Sequence, residues 1–322
     1  MTTIIRYAAP VSRKPPTRKP TVAIVGAGSL ATFLALALRD AGFTITEIVV
    51  RDSPGSRRSA RALAIKVGAQ AVTAHSAVLH ADVLWFCVPD RAILGAASEI
   101  ALRLATRGAA ENGTNKEKGK FQNRSRNQIR FAFHSSGALS SRELDPLRTA
   151  GIAVASVHPL MTFVVGAHPE LTDVPFAIEG DDTAKRMGRR IVRALGGESF
   201  SLSTTRKAAY HAWATLTSPL LLAFLVTLEE VARTAGLTRE DARRKSLPII
   251  RQTLANYSRL GPARSFSGPL IRGDVATVAK HLAVLKKNPG SHVVYVALAN
   301  AALRGLPVKN QKALQLLLDN SG

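Results

Sequence analysis

The sequence is short of acid, of aromatic rings and of cysteine. Its 22 Asp and Glu residues face 44 Lys and Arg, a net charge of +22 over 322 residues. A basic surface favours polyanions through counterion release, but aromatics make up only 5% of the chain and no nucleic-acid motif is present, so specific nucleic-acid binding is not expected. The single cysteine, Cys87, excludes a disulfide framework and any multi-thiolate zinc or iron–sulfur site. No metal is expected, and one thiol suits a reducing, cytoplasmic compartment. Long apolar runs are missing too. The closest, Leu216 to Leu228, is interrupted by Ser218 and Pro219 and falls short of the roughly 18 residues a membrane span requires, so no membrane association is expected. The basic N-terminus has no apolar segment behind it and does not read as a secretory signal.

The excess charge is concentrated. Residues 1–20 carry Arg6, Arg13, Lys14, Arg18 and Lys19 among prolines with no acid, which reads as a disordered basic tail. Residues 105–128 are polar, lack periodicity and set Arg107, Lys116, Lys118, Lys120, Arg124 and Arg126 against Glu111 and Glu117, which reads as a long basic surface loop. With 46% hydrophobic residues, the rest is long enough for about two globular domains.

Regular patterning begins at Thr21. The apolar run TVAIV reads as a strand, GAGSLA follows from Gly26 to Ala31, and TFLALALRDAGF continues as a helix ending at Gly42. In this strand–turn–helix setting Gly26 permits the tight turn, Gly28 lets the backbone approach a pyrophosphate, and Ser29 and Leu30 open a helix whose N-terminus favours phosphate. A second strand, ITEIVV, ends in RDSPGSRR. Arg51, Ser53 and Arg58 suit the 2′-phosphate of NADP, whereas Asp52 is the residue that would instead serve the ribose hydroxyl of NAD.

Three further strands end in polar or bend-forming residues: ADVLWFCVPD at Val88 and Pro89, IRFAFHSSGAL at His134 and Ser135, and IAVASVHPLMTF at His158. Ligands of doubly wound sheets lie outside the carboxyl ends of the strands. Val88 and Pro89 are therefore assigned to the cofactor, and His134, Ser135 and His158 to substrate, with a structural histidine as the alternative at both imidazoles. Cys87 reads as inert packing. VPFAIEG and ESFSLS, joined by a helix, extend the sheet. Beyond Thr204 only helical patterns remain. The fold class is α/β: a doubly wound Rossmann-type sheet over residues 21–203, then an all-α domain over residues 204–322 for substrate binding and dimerisation. Lys207 and His211, four apart, share a face at the start of the first long helix.

The motifs GAGSLA, VPDRAI, HSSGAL, SVHPLMTF, KAAYHAWA and SGPLIRGDVATVAKHL resemble a family of two-domain Rossmann-like NADP oxidoreductases whose C-terminal part has no assigned function. The likeness runs from Thr21 to about Arg304. More distantly the layout resembles ketopantoate reductase, pyrroline-carboxylate reductase and the 6-phosphogluconate dehydrogenase superfamily. It implies hydride transfer from NADPH to a small carbonyl or imine, a ketopantoate-like 2-keto acid being the expected substrate, and a homodimer. It also implies catalytic roles for Lys207 and His211, because an oxygen gaining negative charge requires a proton donor or cation. Arg272, in a glycine-flanked turn, is the expected carboxylate anchor, and Asp274 the cap of the next helix. The chain departs from its relatives where Ser218 and Pro219 replace an asparagine seven residues after His211. That departure supports the alternative, a non-catalytic NADP-binding sensor.

Overall fold

The computed structural model describes residues 18–114, 129–164 and 170–321; residues 1–17 of the expected tail and 115–128 of the expected loop lie outside them. Eight strands form one sheet in the order β3-β2-β1-β4-β5-β6-β7-β8. They are β1 (Val22–Val25), β2 (Ile45–Val50), β3 (Gln70–Thr73), β4 (Val83–Phe86), β5 (Phe131–His134), β6 (Ala153–Pro159), β7 (Pro175–Gly180) and β8 (Glu198–Ser201). Strands β1 to β6 are mutually parallel. Between them run α1 (Ser29–Asp40), α2 (Pro54–Val67), α3 (Asp90–Thr114) and the short α4 (Asp145–Thr149), with α5 (Asp182–Ala194) between β7 and β8.

The central strands β1, β4 and β5 are buried along their whole length. This explains their unbroken apolar sequences, because a parallel strand covered on both faces has no polar side. Alternate residues divide between two cores. Ile24, Trp85 and Phe133 pack with Leu34, Leu38 and Ile191, while Val25, Phe86 and Ala132 pack with Ile93, Ile100 and Leu147.

Two expectations are corrected here, and a third is met with an added detail of strand direction. Residues 105–114 continue α3 as helix instead of opening a loop. Lys19, counted with the tail, is docked: its ammonium bonds the Ala41 carbonyl and lies 5.3 Å from the Phe43 ring centre, a cation–π contact. The added β7-α5-β8 unit does extend the sheet, but β7 runs antiparallel to β6.

Compact packing divides the chain between Ala214 and Thr215, inside α6 (Lys207–Thr217). The second unit comprises α7 (Pro219–Thr234), α8 (Arg239–Ser265), α9 (Pro269–Arg272), α10 (Val275–Leu285), α11 (Pro289–Gly305) and α12 (Gln311–Asp319). Its core joins Val278 and Leu282 of α10 to Ala299 and Leu303 of α11 and Leu314 and Leu318 of α12. Asp274 caps α10 as expected, its carboxylate accepting the Thr277 N–H at 3.0 Å and hydroxyl at 2.7 Å. Ser218 leaves helical geometry (φ −127°, ψ −72°) and separates α6 from α7. Counted across that break, Thr204–Thr234 is 31 residues long and apolar enough, by length and composition alone, to span a membrane, but the interruption expected at Ser218 divides it into two helices. Lys207 and Tyr210 of that stretch are buried.

Candidate functional site

The carboxyl ends of β1, β4, β5 and β6 share one edge of the sheet, because these strands are parallel. At the end of β1, Gly26 has φ +118°, and a Cβ there would stand 2.4 Å from the Cys87 carbonyl oxygen and 3.2 Å from Val88 Cγ1. The turn after β1 is thus pressed against the end of β4, and only glycine fits. Gly28 is the opposite case. It is the exposed N-cap of α1, with open space where a Cβ would be, no capping side chain and no acid in the first turn formed by Ser29 and Leu30. Such a helix end offers backbone donors and a positive dipole to an anion. The turn therefore fits a dinucleotide pyrophosphate. Pro89, exposed, follows Val88 and accepts the Ala92 N–H at the start of α3. The Cys87 thiol is buried and pushed up to about 12 by burial, in keeping with inert packing.

Beyond β2, Ser53 caps α2, accepting the Ser56 N–H, and Arg51 Nε donates to Ser56 Oγ at 3.3 Å. Asp52 is ion-paired with Arg57. A cleft of about 280 Å³ at the ends of β2 and β3 is lined by Arg57, Arg61, Thr73 and Ser76. Arg57 and Arg61, one turn apart on α2, face this cleft; Arg58, about 100° round the helix, is exposed and outside its lining. The sequence reading passed over Arg61, whose i, i+4 relation to Arg57 was the available signal.

The ends of β5 and β6 hold a polar cluster closed by α6. His134 is fully buried: its Nδ1 accepts the Ser136 N–H at 3.1 Å and its Nε2–H donates to the Ser140 carbonyl at 2.9 Å. Burial lowers its pKa to about 4, so the ring is neutral. With both nitrogens occupied, His134 shapes the HSSG turn, the structural alternative for this residue. Ser135 Oγ accepts the indole N–H of fully buried Trp85 at 2.9 Å. Removing that hydroxyl would strand a buried donor, at a cost of about 1–3 kcal/mol. Ser136, which the sequence reading did not select, donates to Asp90 Oδ2 at 2.8 Å and gives its carbonyl to Lys207 Nζ at 2.8 Å.

Lys207 is 3% exposed, and its ammonium also donates to Ser156 Oγ at 2.7 Å. Burial pulls its pKa down to about 8, opposed by Glu179 and Asp90. Glu179 is itself buried, accepting the Ser141 N–H at 2.6 Å, the Ser141 hydroxyl at 2.9 Å and the Thr204 hydroxyl at 3.1 Å. Lys207 does not share its setting with His211. The buried partner on α6 is Tyr210, three residues on, whose hydroxyl is 2.7 Å from His158 Nδ1, while His211 is exposed. Burial, then the Lys207 and His211 charges, lower the His158 pKa to about 3; burial raises that of Tyr210 to about 12.

Gly137 joins these parts. A Cβ there would lie 2.8 Å from His158 Nε2 and 2.9 Å from His211 Cδ2. The missing side chain is what lets both imidazoles close over the same point of backbone. Arg272 ends α9 in the second unit and is exposed.

Residues 21–109 match the family model described as NADP oxidoreductase, coenzyme F420-dependent, and residues 174–302 match a domain of unknown function, DUF2520. The two-domain resemblance holds. The chain joins an NADP oxidoreductase-like N-terminal domain to a DUF2520 domain. No curated protein matches it. Solved structures do. A candidate NADP oxidoreductase from Bacteroides fragilis is 21% identical, with a TM-score of 0.65 over 88% of this chain and 97% of that one. Pyrroline-5-carboxylate reductase from Coxiella burnetii is 14% identical (TM-score 0.55, 88% and 98%). A reductive aminase from Aspergillus terreus, in complex with NADPH and ethyl-5-oxohexanoate, is 14% identical (TM-score 0.59, 93% and 99%). At these identities the likeness establishes the fold.

Proposed function

We propose that this chain is an NADP-dependent reductase that delivers hydride to the polarised carbon of a small C=O or C=N compound. The observation that carries the reading is the meeting, on one sheet edge, of an open glycine turn at a helix N-terminus with a buried ammonium and two imidazoles around Gly137. The family match over residues 21–109 and the reductase fold support it. Gly26, Gly28, Ser29 and Leu30 would hold the pyrophosphate, Val88 and Pro89 the nicotinamide side, and Arg51, Ser53, Arg57 and Arg61 the 2′-phosphate. Asp52, engaged by Arg57, is poorly placed to serve as the ribose acceptor of an NAD site. When bound, the cofactor supplies the hydride. The protein's part is electrostatic. Lys207 places a fixed positive charge behind the Ser136 carbonyl, and His158 and His211 present ring edges over Gly137, where an oxygen or nitrogen gaining charge requires a donor. Arg272 is the proposed anchor for a substrate carboxylate, and ketopantoate-like 2-keto acids are one substrate class to test. We also propose a cytoplasmic homodimer: exposed apolar patches mark interaction surfaces, and Leu222 on α7 and Ile249, Leu254 and Tyr257 on α8 are more than half exposed in the single chain.

The test is NADPH oxidation with a panel of 2-keto acids, cyclic imines and aldehydes. Lys207→Ala and His211→Ala should each lower turnover roughly 10²-fold on the substrate found, with NADPH binding retained. Near-normal turnover in both variants would overturn the roles given to them. The competing sensor reading draws on the break at Ser218; it expects tight NADPH binding and no turnover with any member of the panel.

A further inference from the structure

Among the described residues Lys207 is the only lysine or arginine that is buried. A lone ammonium in a dry setting gives up its proton unless a negative charge stands close by. Both hydrogen-bond partners of Nζ, the Ser136 carbonyl and the Ser156 hydroxyl, are neutral. The answering charge lies one strand over. Ser156 on β6 is the register partner of Glu179 on β7, and residues directly opposite in an antiparallel pair place their Cβ atoms about 4.5–5.5 Å apart on one face. Glu179 is 2% exposed, and its three hydrogen bonds all come from neutral donors, the Ser141 N–H and the Ser141 and Thr204 hydroxyls. One dry cluster thus holds an ammonium and a carboxylate on either side of the Ser156 side chain.

We propose that Glu179 is a positioning residue: across Ser156 it keeps the Lys207 ammonium protonated and aimed at the Ser136 carbonyl, so that a fixed positive charge stands behind the turn that carries Gly137. This role presupposes the reductase reading given above, in which that charge serves the reacting atoms. Two features of the cluster support it. Through the Thr204 hydroxyl the same carboxylate fixes the 3-10 turn Thr204–Arg206 that leads directly into α6, and so sets where Lys207 begins. The other groups facing the ammonium leave little else to hold its charge. They are Asp90 of α3, His134 of β5, His158 of β6, and Tyr210 and the exposed His211 on α6 itself. His134 and His158 are neutral above about pH 4, and Tyr210 keeps its proton to about pH 12. Burial lowers the Lys207 pKa to about 8, and Glu179 opposes that fall more strongly than Asp90 does.

The full chain is labelled with lysine carrying carbon-13 at Cε, the Lys207 signal is identified by its loss in Lys207→Arg, and its position is followed through a pH titration. In the parent chain the signal should titrate near pH 8. In Glu179→Gln, which keeps the side-chain shape and can still accept the Ser141 N–H, it should titrate at least about one pH unit lower. Ser156→Ala should move it in the same direction, and keeps the test readable where Glu179→Gln fails to fold. An unmoved signal in either variant would overturn the role, leaving Glu179 as a brace for the turns at Ser141 and Thr204. A larger shift in Asp90→Asn than in Glu179→Gln would overturn it in favour of Asp90. On a substrate found in the panel, the loss of turnover in Glu179→Gln should be severalfold greater at about pH 8.5 than at about pH 6.5, because the variant's ammonium is discharged first. A loss independent of pH would also overturn the role. Where no member of the panel turns over, the reductase reading falls by itself and the titration alone decides what Glu179 does to Lys207.

Discussion

The molecule builds the same pair of side chains twice. In the sheet unit His158 Nδ1 lies 2.7 Å from Tyr210 Oη with the rings edge-to-face at 86°; in the helical unit His281 Nδ1 lies 3.0 Å from Tyr295 Oη with the rings at 85°. The local geometry is nearly identical, so any difference in use comes from the surroundings. His158 stands at a strand end above a glycine, with Lys207 and His211 close enough to act on its charge. His281 bridges two helices on the wall of an apolar cavity. A histidine–tyrosine pair is therefore no signature of catalysis. What distinguishes the first pair is the buried cation behind it and the missing side chain in front of it.

The largest expected difference lies in acid stability. Unfolded, His134 and His158 take up protons near 6.5; folded, they do so only near 4 and 3. The native state thus binds fewer protons in this window, and stability falls as pH drops from about 6.5 towards 4, by about 3 kcal/mol for buried His134 alone. Urea unfolding at a series of pH values reads this directly, and a flat profile between about pH 7 and pH 5 would refute the burial argument. Next in size is Gly137→Ala. The new methyl group must displace His158 or His211, and a displacement of that order should cost about 10²-fold in turnover while leaving NADPH affinity unchanged. Equal loss of NADPH affinity would show that the glycine serves the cofactor instead. The smallest effect is a direct contrast: Tyr210→Phe should lower turnover about tenfold, whereas Tyr295→Phe should leave it unaltered. Equal effects from the two would erase the distinction between the pairs.

The sheet unit was legible because parallel strands buried on both faces are short apolar runs, each followed by its turn, and the glycine turn after β1 carries its own mechanical reasons. Strand direction was not legible: VPFAIEG reads the same whichever way it runs, and the reversal of β7 emerges only from its pairing with β6. Residues 105–114 misled because Gly108, Asn112 and Gly113 are poor helix formers, yet the helix begun at Asp90 carries through them. On α6 the spacing of Lys207 and His211 suggested a shared face, but burial selects positions 207 and 210. Periodicity cannot decide which of two neighbouring i+3 and i+4 partners turns inward. The roles of Ser136, Ser156 and Glu179 were not legible for another reason: they come from contacts between residues 20 to 71 positions apart.

Trp85 lies beneath this site with its indole N–H fixed to Ser135, and Trp213, the second of the chain's two tryptophans, is half exposed with its ring 5.9 Å from that of Tyr210. The protein therefore carries two built-in optical reporters of opposite character. One is a dry, rigid fluorophore sealed under the turn that follows β5, and the other is a wetted one on the helix that closes the polar cluster. A molecule settling over Gly137 would change the emission of the second before that of the first, so that binding at the mouth and rearrangement of the floor could be followed separately by their colour.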